Sequence, residues 1–219
     1  MQENDYAVTG QQQLDTAAAK VLRNTYTLLA ATILFSAMTA GFAMAINAPY
    51  MGLWMLIPYI GFLVLTEKFK NSSLGLVFVF GLTGWLGFTI GPILNHYLAT
   101  QGAEPIILSL GGTAAIFFAL SGYVLVTKKD LSKWTGFLMT GMIIGFIAMI
   151  ANIFLQISAL GLAISCIFLF ISSGLIMWQT SAIIHGGETN YISATVTLYV
   201  MLYNIFTILL SFIGMGSDD

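Results

Sequence analysis

"TGFLMTGMIIGFIAMIANIFLQISALGLAISCIFLFISSGLIMWQTSAII", residues 135–184, contains no Asp, Glu, Lys, Arg or His. A helix that crosses a bilayer needs about 20 mostly apolar residues. The stretch is therefore too long for one span and long enough for two. Its only plausible break is "LQISALG" (155–161), through Gln156, Ser158 and Gly161. Breaking the stretch there sets the parity of the whole chain, and so the side of the membrane on which the chain ends.

The same pattern extends outward in both directions. Of 219 residues, 58% are hydrophobic and 7% are charged, where soluble domains carry about 25% charged residues. Apolar runs fall at about 24–46, 50–66, 73–94, 105–126, 135–156, 159–183 and 192–213. The second is short and holds Pro58, which a membrane helix tolerates when neighbours re-satisfy the freed carbonyl. The reading is an all-α membrane protein with seven transmembrane helices over 24–213. The first run is longer than the roughly 7–15 residues of a signal-peptide core, so it is read as an uncleaved span despite Ala43-Met44-Ala45.

Basic residues orient the chain. Lys20 and Arg23 precede the first span, Lys68 and Lys70 follow the second, and Lys128, Lys129 and Lys133 follow the fourth. These are all seven Lys and Arg of the chain, and with seven spans they share one side. The expectation is N-in and C-out, with residues 1–23 a flexible cytoplasmic tail and 214–219 a short external C-terminus. The loop 184–191 is cytoplasmic by parity.

Most site chemistries fail on this sequence. A net charge of −2 gives no reason to expect a nucleic-acid partner, and the lone Cys166 offers no intrachain disulfide. His96 and His185 fall on opposite sides of the bilayer, so they do not share a metal, which needs converging ligands. No Asp lies inside a span for an aspartyl protease, and no Lys for a retinal Schiff base. Ser121 has no basic partner at membrane depth, and "HGG" (185–187) lacks a nucleophile elbow. No catalytic residue, metal or cofactor is expected. Gly87-x-x-x-Gly91 and Gly141-x-x-x-Gly145 permit close helix packing. Asn152, Gln179 and Asn204 are intramembrane amides that should face the bundle interior, because an unpaired amide in hydrocarbon costs several kcal/mol.

"VLRNTY" (21–26), "FTIGPILN" (88–95), "GGTAAIFFALSGYVLVTKKDLS" (111–132), "ANIFLQ" (151–156) and "IIHGGETNYISATVTLYVMLYNIF" (183–206) together resemble the Bax inhibitor-1 family, from about residue 20 to the end. Within it they are most similar to proteobacterial members that modulate a membrane-bound AAA protease of the inner membrane. The resemblance implies a last helix wrapped by the six others. Residues 185–191 then become a turn feeding that helix. Gly186 and Gly187 end one helix, Asn190 or Thr189 caps the next, and Glu188 and His185 lie in the same cytoplasmic turn. Some family members leak calcium under control of an Asp pair on the last two helices. The matching positions here are Gln179 and Met201, neither of them a carboxylate, while Asn204 matches the family's Asn. Two functions are implied: binding and slowing the AAA protease as a poor substrate, or an ion leak that the missing acid pair weakens.

Overall fold

The computed structural model describes the backbone of residues 2–216 and the side chains from Thr16 onward. Seven helices follow one another: α1 (Gln2–Ala45), α2 (Leu56–Phe69), α3 (Ser73–Thr100), α4 (Glu104–Thr127), α5 (Thr135–Leu155), α6 (Ser158–Ile184) and α7 (Tyr191–Met215). All seven are long and apolar enough to cross a membrane, α2 together with the 3₁₀ turn Gly52–Met55 that leads into it. The fold is all-α, with no strand among the described residues. Pro58 sits in the first turn of α2, where a missing N–H removes no intrahelical bond.

The break in the long apolar stretch falls within "LQISALG". Helix α5 stops at Leu155, Gln156 takes a left-handed φ of 53°, and α6 begins at Ser158. The Asn152 Oδ1 accepts the Ile157 backbone N–H at 3.1 Å, fixing the turn.

The segment 1–23, expected as a flexible tail, is helical in its backbone from Gln2. Met1 lies outside the described residues. Gln11–Gln13 and Ala17–Ala19 are good helix formers, so they extend the helix of the first span backward into the polar segment. Residues 217–219 of the C-terminal segment are likewise outside the described residues.

Helix α7 packs against α1, α2, α3, α4 and α6, whereas α5 lies outside against α6. The last helix is thus central, with five helices packed closely on it and α5 set outside them. The cause is visible in α5: only Leu138 and Gly145 are buried, and Ile143, Ile144, Phe146 and Ile147 are exposed. Such a helix meets lipid nearly all round.

The tightest seam joins α1 to α3. A Cβ built on Gly91 would stand 2.6 Å from the Ala43 Cβ, one on Gly84 2.6 Å from the Phe35 ring, and one on Gly87 would collide with the Ser36 carbonyl oxygen. The Gly87/Gly91 pair is therefore a place of backbone contact between helices. The Gly141/Gly145 pair is looser, meeting the Ile171 and Phe168 side chains at 3.1 and 3.3 Å. Gly87→Ala should destabilise the bundle by about 3 kcal/mol, the upper range for overpacking. Gly111→Ala, with nothing within 4 Å, should stabilise its helix by up to about 1 kcal/mol. Thermal unfolding of both variants in detergent checks the contrast.

Candidate functional site

Hydrogen bonds between the connections show which ends of the helices share a face. At one face the Asn190 amide donates to the Lys70 carbonyl at 3.1 Å and to Asn71 Oδ1 at 2.8 Å. The Ser181 hydroxyl accepts the Leu131 N–H and donates to the Lys129 carbonyl, both at 3.0 Å. The α2–α3, α4–α5 and α6–α7 connections thus form one surface, which carries Lys68, Lys70, Lys128, Lys129 and Lys133. At the opposite face Gln101 donates to the Gly214 carbonyl at 2.9 Å and Asn95 to the Met44 carbonyl at 3.0 Å. His96 is at this second face and His185 at the first, so the two histidines stand apart. Among the described residues no three His, Cys, Asp or Glu gather around a point that could hold a metal.

The polar island at residues 185–190 is a turn built from local chemistry. Gly186 adopts a φ of +74°, which glycine adopts without steric cost. Its N–H bonds the Ile183 carbonyl at 3.2 Å, and the Gly187 N–H bonds the Ala182 carbonyl at 2.8 Å, the paired closure that ends many helices. His185 turns its Nδ1 back toward the Ser181 carbonyl at 2.9 Å. Asn190 then caps α7, its Oδ1 accepting the Ile192 and Ser193 N–H groups at 2.9 and 3.1 Å. Glu188 accepts the Asn190 N–H at 2.8 Å. The expected turn residues are therefore brought together, with Asn190 as the cap.

Around this turn the charges are held by short polar contacts. Lys70 pairs with the Glu67 carboxylate, whose hydrogen bond holds the ammonium above its ordinary pKa. The Ser132 backbone N–H, 2.8 Å from Asp130 Oδ1, holds the Asp130 carboxyl below the usual range. Asn190→Ala should cost about 1–2 kcal/mol through the lost cap. Asn190→Ser should restore the cap while leaving the α2–α3 connection unbridged, and so fall between the two. Denaturation midpoints in detergent separate the contributions.

The three intramembrane amides do not form one pathway. Gln179 is 2% exposed in α6, and its Nε2 has no hydrogen-bond partner among the described residues. Met201 is 5% exposed in α7 and belongs to the apolar core. Asn204 is half-buried in α7, and its carbonyl accepts from Thr207 Oγ1. Asn152 departs from the expected interior position. It sits near the end of α5, where its side chain serves the α5–α6 turn.

Buried hydroxyls supply most of the interior polarity. Thr180 Oγ1 donates to the Ile176 carbonyl at 2.9 Å and lies 3.3 Å from Ser121 Oγ. Tyr199 joins three helices: its hydroxyl donates to the Thr83 carbonyl at 3.2 Å and lies 2.5 Å from Ser36 Oγ. Tyr199 is not among the residues expected from the sequence. The signal was present, because a tyrosine in mid-span needs a partner for its hydroxyl. Among the described residues from Thr16 to Gly216, every carboxylate lies at a helix end or in a connection: Glu67, Glu104, Asp130 and Glu188. The core at Gln179 and Met201 offers an amide and a thioether, whereas calcium takes six to eight oxygen ligands.

Comparison with known proteins agrees with this architecture. The profile of the family described as "Inhibitor of apoptosis-promoting Bax1" matches residues 18–218. A protein of Escherichia coli strain K12 named "Modulator of FtsH protease YccA" is 53% identical over 201 residues, covering 91% of this chain and 92% of its own. A relative from E. coli O6:H1, named "Inner membrane protein YccA", matches equally. A protein of Pseudomonas aeruginosa is 46% identical over 222 residues and the full length of both chains. With a profile spanning nearly all of the bundle, and relatives matching from end to end, this chain belongs to the Bax inhibitor-1 family.

Proposed function

We propose that this protein is a non-enzymatic inner-membrane modulator of a membrane-bound AAA protease of the FtsH type, acting as a slow substrate that occupies the enzyme. The observation that carries the reading is the 53% identity, across 91% of this chain, to a protein named for that role. The bundle interior is consistent with it. Gln179 and Met201 stand where the resemblance places an acid pair, so a proton-gated calcium leak lacks its titratable groups.

The reading requires the face bearing the lysines to be cytoplasmic, where the ATPase domains of such a protease would work. A reporter active only outside the cytoplasm should therefore be active when fused after Asp219 and silent when fused after Lys129. The direct test is co-purification of the full-length protein with FtsH from detergent-solubilised membranes. Recovery of the protease supports the modulator. Its absence, together with calcium flux in liposomes, would move the assignment to the leak.

A further inference from the structure

Helices α1 and α4 both pack on α7, and between them they leave a cleft of about 580 Å³. Its floor is α7, with Tyr199, Leu202 and Phe206. Its α1 wall is smooth, because Ala30, Ala37 and Gly41 face it. Its rim, at Ile33, Leu110 and Phe118, is exposed. The cleft therefore opens sideways, into the hydrocarbon of the bilayer.

The dimensions decide what fills it. Along α1 the cleft runs from Tyr26 to Met44, roughly 27 Å at 1.5 Å per residue, close to the roughly 30 Å of the hydrocarbon core. Spread over that length, and with the radius of a water molecule added at each wall, the volume gives a slot roughly 8 Å across, narrower than the 10–12 Å diameter of a helix with its side chains. A partner's transmembrane helix does not enter such a slot. An extended peptide would carry unsatisfied backbone groups into hydrocarbon. Water needs two to four polar partners; the Tyr199 hydroxyl at the floor is already engaged with Ser36 and Thr83, and the Tyr26 hydroxyl, buried without a partner at one end of the cleft, offers a single one. A hydrocarbon chain satisfies every constraint, and it gains dispersion contacts on three sides that it lacks among mobile neighbours.

We infer that the α1–α4 cleft is a binding site for an acyl chain of a membrane phospholipid, held along the central helix as an ordered part of the bundle. Three helices are thereby packed through a lipid as well as through each other. Substituting the small residues of the wall should evict it.

The test uses the full-length protein in phosphatidylethanolamine–phosphatidylglycerol vesicles doped with a phospholipid carrying a diazirine in its acyl chain. After illumination, labelled peptides are mapped by mass spectrometry. The expected result is labelling concentrated on residues 30–41 and 110–118, in excess of the equally exposed α5 face at Ile143 and Ile147. In Ala37→Phe/Ala114→Phe that excess should be lost while α5 labelling is unchanged. Ala37→Leu is a milder filler should the double variant fail to fold, and the wild-type comparison stands without either. Labelling in the wild type no greater than on α5 would overturn the assignment, as would an excess that survives filling. Protection of the cleft by co-reconstituted FtsH would give the site to a protein partner and overturn it equally.

Discussion

Deleting residues 2–19 should give a protein that still folds, resists the protease, and outlives the full-length chain in cells by several-fold. A membrane-anchored AAA protease must first grip a cytoplasmic segment before it draws helices from the bilayer. The connections on the lysine-bearing face are short and pinned to one another through Asn190 and Ser181. Residues 2–19 are the long polar segment on that side. The shortened protein should still occupy the enzyme and shield other substrates more strongly than the intact form. Chase experiments on both forms, with a second FtsH substrate followed in the same cells, check it. Equal half-lives would remove the handle from this segment and weaken the slow-substrate reading with it.

Gln179→Asp combined with Met201→Asp should convert a nearly flat calcium flux between roughly pH 6 and 8 into one that depends on pH. A carboxyl group buried at either position is penalised for ionising, so its pKa is raised strongly, by up to several units. The pair would then titrate within that range and give the bundle a charge switch that it lacks. Fluorescence of a calcium dye in proteoliposomes reports the flux. Gln179→Asn, which stays uncharged, should behave as the wild type. A wild-type protein with strong, acid-suppressed flux would overturn the prediction and favour the leak.

The spans were legible because hydrocarbon imposes one rule on every residue: the run without charges is the helix. Even the hardest boundary was readable, since Gln156 and Ser158, with Gly161 after them, lie near the middle of a stretch long enough for two spans. The turn at 185–190 was readable for a local reason, because a glycine end and an Asn cap act within a few residues. Two features were not readable. The helical backbone at the start of α1 was not readable because a polar segment without an apolar period carries no burial signal, although Gln and Ala propagate helix well. The position of Asn152 was missed because an amide can satisfy itself in a nearby turn, and sequence distance does not reveal that choice. Tyr199 lies between these cases: its need for a partner was visible, but Ser36 and Thr83 are distant in the chain.

The glycine seam between α1 and α3 has a mechanical consequence. A motor pulling on the first residues loads α1, which is clamped by α3 between Phe35 and Met44 and fastened to α7 through Tyr199 and Ser36. Force applied along that axis loads the whole contact in shear, so many interactions must yield together. The loosely held α5 would instead peel away contact by contact, but no free end leads to it. A protease that gripped the first residues would therefore pull on the most tightly seated helix, and should stall.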